Sequence, residues 1–136
     1  MALKKGYKQL MAEANAQVIT LSLEEAQAKL DDENVVFVDI RDVRELDREG
    51  MIPGALHAPR GMLEFWIDPE CQYHREVFSS GKEFVFYCQS AWRSALTTQT
   101  LQQMGLEPIS HVAGGFVAWK EAGLPVGERP RKKSAS

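Results

Sequence analysis

Four residues with strong strand character, Phe84-Val85-Phe86-Tyr87, run directly into Cys88-Gln89-Ser90-Ala91-Trp92-Arg93, and helical character begins at once. No other feature constrains the fold as tightly. An apolar run of this kind suits a strand buried on both faces, the ordinary condition of a parallel sheet. The helix runs from near Arg93 to about Met104, with Ala95, Leu96, Leu101 and Met104 on its apolar side, and Gly105 stops it. A strand that turns straight into a helix is half of a βαβ unit, so the neighbouring strands are expected to be parallel.

The remaining pattern agrees. Val35-Val36-Phe37-Val38-Asp39-Ile40 is a second continuous apolar run, and Val18 to Thr20, Leu56 to Ala58 and Ile109 to Val112 are shorter strand candidates. Ser22 and Glu25 form a capping-box pair that opens a helix. Residues 42 to 49 suit a short helix ending at Gly50, and Ile52-Pro53-Gly54-Ala55 is a turn. Residues 61 to 80, broken at Pro69, suit short helices. Gly114-Gly115 leads into a helix through Trp119. The class is α/β: one domain over residues 17–127, with a mainly parallel sheet of about five strands and helices on both faces. Residues 1–16 are expected to form a helical extension, with Leu3, Tyr7, Leu10, Met11 and Ala14 on one side. Residues 128–136 form a basic tail expected to be disordered.

The 136 residues suit one hydrophobic core, and 44% hydrophobic with 26% charged residues is ordinary for a globular protein. A net charge of -3 does not favour nucleic-acid binding. No apolar run reaches the roughly 20 residues of a membrane span. The lysine-bearing start lacks the apolar stretch of a secretory signal. Two cysteines make a disulfide framework improbable, and the expectation is a cytoplasmic chain with both thiols reduced.

Chemistry concentrates at Cys88. It falls at the carboxyl end of a strand, where open α/β sheets place their ligand sites. The short turn and the first helical turn leave backbone N–H groups without acceptors, and together they form a nest that favours negative charge. Such a setting favours the reactive thiolate over the thiol. Arg93 adds a positive charge at the far side of the loop. A bland alternative is a small buried cysteine at a strand end. The Cys-x-x-x-x-Arg spacing, with Ser94 and a helix behind it, favours a nucleophile.

Three segments carry a family resemblance: Val38-Asp39-Ile40-Arg41-Asp42-Val43-Arg44-Glu45-Leu46; EGMIPGALHAPRG over 49 to 61; and YCQSAWRS with the downstream VAGGFVAWKEAGLPV. In this order and spacing they resemble a single rhodanese-like (sulfurtransferase) domain. The resemblance implies that Cys88 takes a sulfane sulfur from a donor such as thiosulfate, becomes a persulfide, and passes the sulfur to a thiophilic acceptor, cyanide or a cellular thiol. It implies Cys88 and Arg93 as catalytic residues, no metal or organic cofactor, small-molecule partners, and a monomer or homodimer acting on neither nucleic acid nor membrane. Gln89, Ser90, Ala91, Trp92 and Ser94 would line the loop, and Arg60 would approach the mouth to hold an anionic donor. Asp39 would help to hold the loop, and Arg41 would pair with Glu45, a pairing that their spacing of four also allows. The loop from Cys88 to Arg93 counts six residues, one fewer than in the related phosphatases. That favours sulfur transfer over phosphatase or arsenate reductase chemistry. A non-enzymatic binding or redox-sensing module is the other alternative.

The chain departs from the family at Met51, where histidine is usual, at Ala91, where glycine is common, and at Gln89, where a basic residue is common. Alanine at position 91 carries a cost if φ is positive there. Phe65, Trp66 and Trp92 are candidates for an apolar rim, with Trp92 the firmest because it lies in the loop. Cys71 and His74 have a zinc-like Cys-x-x-His spacing but lack a second pair, so Cys71 is a bystander or, if close to Cys88, a resolving thiol. His57 and His111 each read as isolated.

Overall fold

The computed structural model describes residues 2–130. Two apolar strands lie side by side at its centre, β2 (Val35–Asp39) and β4 (Glu83–Tyr87). They are parallel, with Val38 opposite Phe86 and Asp39 opposite Tyr87. This register sets the carboxyl ends of both strands level. A further bond from the Ile40 N–H to the Tyr87 carbonyl (3.2 Å) carries the pairing into the loops. Cys88 and Arg41 therefore emerge next to each other.

Outside this pair, β5 (Ile109–Val112) flanks β4 and β3 (Leu56–His57) flanks β2. β1 (Thr20–Leu21) closes the other edge, giving the order β1-β5-β4-β2-β3 with every pairing parallel. Met51 and Gly127 add an isolated antiparallel bridge. The chain moves outward in opposite directions from β2 to β3 and from β4 to β5. Right-handed crossovers then put the intervening helices, α3 (Val43–Glu49) and α5 (Trp92–Gln103), on opposite faces. The crevice between β2 and β4 is thus the switch point where α/β sheets bind ligands.

Both faces carry a core. Val38, Phe84, Phe86 and Ile109 pack with Leu101 of α5 and Leu63 of α4 (Leu63–Trp66) on one side. Phe37, Val85, Tyr87 and Val112 pack on the other with Ala26 of α2 (Leu23–Ala28) and with Phe116 and Trp119 of α6 (Gly115–Glu121). The capping box expected at Ser22 and Glu25 is formed, and Asp42 with Glu45 makes a second one at the start of α3. In the stretch from 61 to 80, α4 lies between 3₁₀ turns at Arg60–Met62 and Glu76–Ser79.

The N-terminal helix α1 (Tyr7–Gln17) lies against α5, tied there by Gln17 bonded to Gln99 and Gln102. Its expected apolar side is mostly in solvent. Ala14 is buried, whereas Leu3, Tyr7 and Leu10 are exposed, because α1 adds to the outside of a sheet face that α5 already covers. At the other end, Arg129 bonds to Asp47 (2.8 Å), so this first part of the expected tail lies against α3. The tail beyond residue 130 lies outside the described residues.

Candidate active site

Cys88 is 1% exposed and follows the last residue of β4. Its sulfur receives the backbone N–H of Ser94 at 3.3 Å. Ser94 is the third residue of α5, so its N–H is one of the four that lack an intrahelical acceptor. The nest expected from the sequence thus has at least one donor aimed at sulfur.

Backbone bonds from behind orient the rest of the loop. The Phe116 N–H donates to the Cys88 carbonyl (2.8 Å) and the Val117 N–H to the Gln89 carbonyl (3.0 Å). In a trans peptide the C=O and the next N–H point opposite ways. Drawing these two carbonyls onto α6 therefore turns the N–H groups of Gln89 and Ser90 away from it. The close approach requires Gly115, where φ is +66° and a Cβ would lie 2.6 Å from the Gln89 oxygen and 2.7 Å from the Cys88 oxygen. Before α5 begins, Ala91 turns the chain at φ 71°, the only non-glycine residue with positive φ among the described residues. The cost foreseen for alanine at this position is therefore incurred.

Two arginines brace the loop, with partners that differ from expectation. Arg41 does not pair with Glu45. It is fully buried, and its guanidinium bonds Asp39 (Nη2 to Oδ2, 2.8 Å), the Gly50 carbonyl (2.7 Å) and the Gln89 side-chain oxygen (2.9 Å). Its outer face lies over the Phe116 ring, 4.3 Å from the centroid. The helical spacing argument fails because Arg41 precedes the first residue of α3 and its side chain turns inward. Burial is the largest single influence on Arg41 and opposes its charge, but the hydrogen bonds to Asp39, the Asp39 charge and the other negative groups nearby together raise its pKa. Asp39 thereby reaches the loop through Arg41 and Gln89. The neighbouring Tyr87 hydroxyl, which accepts the Ile52 N–H (3.0 Å), is held well above its usual range by burial and then by the Asp39 charge.

Glu45 belongs to Arg93. The pair is bidentate, with bonds of 2.8 and 2.9 Å. The Arg93 bonds outweigh desolvation and hold the Glu45 carboxyl below its usual range. Since Glu45 also caps α3, this one carboxylate ties the first turn of α3 to the first turn of α5 across the crevice.

Arg60 bonds Glu64 (2.7 Å), four residues along, rather than a loop residue. Trp92 is 57% exposed and stacks on Tyr7 of α1 at 5.4 Å. Trp66 packs under Arg75 instead of forming a rim with it, and Phe65 is exposed. Cys71 is a free thiol whose sulfur receives the Tyr73 N–H, and both ring nitrogens of His74 are bonded, to the Trp66 carbonyl and the Ser79 hydroxyl.

Neither remaining histidine is isolated. His57 donates from Nε2 to the Arg41 carbonyl (2.7 Å). His111 is 1% exposed and joins Ser94 Oγ through Nδ1 (2.9 Å) and Thr20 Oγ1 through Nε2 (2.9 Å). Burial lowers its pKa to about 4, so the ring is neutral at pH 7. A signal for it was present, since a histidine inside a buried strand must find polar partners.

A buried cysteine under a helix N-terminus, at the switch point of a parallel sheet, defines an α/β protein built around a Cys loop. The rhodanese-like domain family matches residues 22–122, and the chain belongs to that family. It is 35% identical over 101 residues to a sulfurtransferase of Allochromatium vinosum, covering 74% of this chain and 86% of that protein. It is 34% identical over 115 residues to an uncharacterised Synechocystis protein; the match takes in 85% of this chain but spans only 59% of the length of that relative. Among solved structures it resembles a Rhodopseudomonas palustris protein of unknown function, described as a possible tyrosine phosphatase. The TM-score is 0.89 at 47% identity, covering 93% of this chain and 97% of that one. No helix among the described residues is long and apolar enough to cross a membrane.

Proposed function

We propose that the chain is a sulfurtransferase that carries sulfane sulfur as a persulfide on Cys88. The observation that carries this reading is the Ser94 N–H directed at the Cys88 sulfur. In the first half-reaction the Cys88 thiolate attacks the outer sulfur of a donor such as thiosulfate; the new S–S bond forms as the donor S–S bond breaks, and sulfite leaves with its electron pair. In the second, cyanide or a thiolate attacks the terminal sulfur and regenerates the Cys88 thiolate. Backbone N–H groups of the loop stabilise the persulfide anion without reorganising. The near-complete burial of Cys88 favours a slim donor with a projecting terminal sulfur.

The phosphatase description of the Rhodopseudomonas protein raises a second reading. Phosphoryl transfer is aided by a guanidinium turned toward the equatorial oxygens. Here both terminal nitrogens of Arg93 are engaged by Glu45. The six-residue loop also favours the smaller sulfur over a tetrahedral phosphate.

Intact-mass measurement after thiosulfate treatment of the reduced protein tests the proposal. One added sulfur is expected, removable by cyanide, absent in Cys88→Ser and retained in Cys71→Ser. Absence of the adduct together with hydrolysis of an aryl phosphate would transfer the assignment to the phosphatase reading.

A further inference from the structure

The Ser94 N–H reaches sulfur at 3.3 Å, a soft contact whose direction depends on how firmly Ser94 is held. Its side chain is held from behind the loop. Ser94 Oγ meets His111 Nδ1 at 2.9 Å, and His111 Nε2 meets Thr20 Oγ1 at 2.9 Å. Strand register places the ring: His111 lies between Phe86 of β4 and Thr20 of β1. With a neutral ring both nitrogens are paired in either tautomer, and one proton assignment also gives the hydrogen of the buried Ser94 hydroxyl an acceptor. The Ser94 hydroxyl donates to Nδ1, and the Nε2–H donates to Thr20.

This pairing is more than routine satisfaction of buried hydroxyls. Thr98 Oγ1, one turn further along α5, and Ser110 Oγ, beside His111 on β5, are buried with no partner. A buried imidazole also carries a desolvation cost that an apolar side chain would avoid. The chain accepts that cost where the ring reaches the residue whose N–H touches the nucleophile.

We propose that His111 is a positioning residue for Cys88: by accepting the Ser94 hydroxyl at Nδ1, it fixes the first turn of α5 so that the Ser94 N–H points at sulfur when the sulfur carries negative charge. The link to turnover rests on the sulfurtransferase reading; the link to Cys88 reactivity does not.

The two ring nitrogens can be separated by substitution, since asparagine places its side-chain oxygen near Nδ1 and glutamine places its amide near Nε2. In a Cys71→Ser background, iodoacetamide alkylation of Cys88 and steady-state sulfur transfer from thiosulfate to cyanide are measured for His111→Asn, His111→Gln, His111→Phe and Ser94→Ala, with melting temperatures. His111→Asn should keep both rates within about threefold of the parent. His111→Gln and Ser94→Ala should slow both about tenfold with KM for thiosulfate little changed, the loss expected for one hydrogen bond to a charged group. Combining Ser94→Ala with His111→Gln should add no further loss. Rates that follow melting temperature, with asparagine no better than glutamine, would overturn the proposal. Should His111→Phe not fold, the asparagine and glutamine variants still decide it. Normal alkylation by the parent without sulfur transfer would sink the sulfurtransferase reading alone.

Discussion

Gly115 lies so close behind Gln89 that a Cβ on it would stand 2.6 Å from the Gln89 carbonyl oxygen, where both contacting groups are backbone. Neither can swing aside as a side chain would, and φ at Gly115 is +66°. Gly115→Ala is therefore expected to destabilise the domain on the order of 3 kcal/mol, combining positive-φ strain with overpacking. It should also abolish persulfide loading, because the carbonyls it displaces orient the loop. Urea denaturation and intact-mass loading measure the two effects. Native-like values for both would refute the account of how the loop is held.

At Ala91 the expectation has the opposite sign. Its φ of 71° is unfavourable for an L side chain. Ala91→Gly relieves that strain but raises the entropy of the unfolded chain. The net should be a gain of up to about 1 kcal/mol in chemical denaturation, with sulfur transfer retained. A loss exceeding about 1 kcal/mol would mean that the methyl group contributes packing that outweighs the strain.

The pair of Glu45 and Arg93 should show in the acid limb of stability. The Glu45 carboxyl titrates below its usual range in the folded state. Its contribution is present above the ordinary carboxylate pKa and is lost as pH falls through the depressed folded value. Because the Arg93 side chain is 44% exposed, the pair is worth only about 1 kcal/mol and should weaken with salt. Glu45→Gln should show this loss at pH 7 and a flatter profile below pH 4.5. Identical acid limbs for parent and variant would show that the pair is not formed in solution.

His111 titrates in the other window. Its folded pKa lies near 4, against an ordinary 6.5. The unfolded chain takes the proton first, so the contribution of the neutral ring is full above pH 6.5 and is lost as pH falls towards 4. The loss is on the order of 3 kcal/mol. His111→Asn, which has no such titration, should flatten stability between those values in a series of denaturation curves. A parent profile level from pH 7 to pH 4.5 would contradict the burial of a neutral ring.

Most of the fold was legible because burial writes itself into local pattern. Val35–Asp39 and Glu83–Tyr87 are strands because continuous apolar runs of that length have no other economical place. The helix caps at Ser22 and Gly50 were equally visible, since they are local chemistry. Partners across the fold were not. Arg41 and Glu45 are four apart and looked like a pair, yet Arg41 turned inward to Asp39 and Glu45 outward to Arg93, 48 residues away. The apolar side of α1 was legible as a pattern, but what it packs against was not, because α5 already covers the sheet face behind it and leaves Tyr7 and Leu10 exposed.

Cys88 shows the same division. Its place at the end of an apolar strand, five residues before Arg93 and just before a helix, follows from the chain alone, because strand length, loop length and helix start are local. Which groups touch it does not. The Ser94 N–H on its sulfur, the carbonyls drawn back by Phe116 and Val117, and the His111 ring behind Ser94 depend on the register of β4 against β5 and of β5 against β1. A periodic pattern records which face of an element is buried, whereas side-chain partners are set by how separate elements align. Only the assembled sheet decides that.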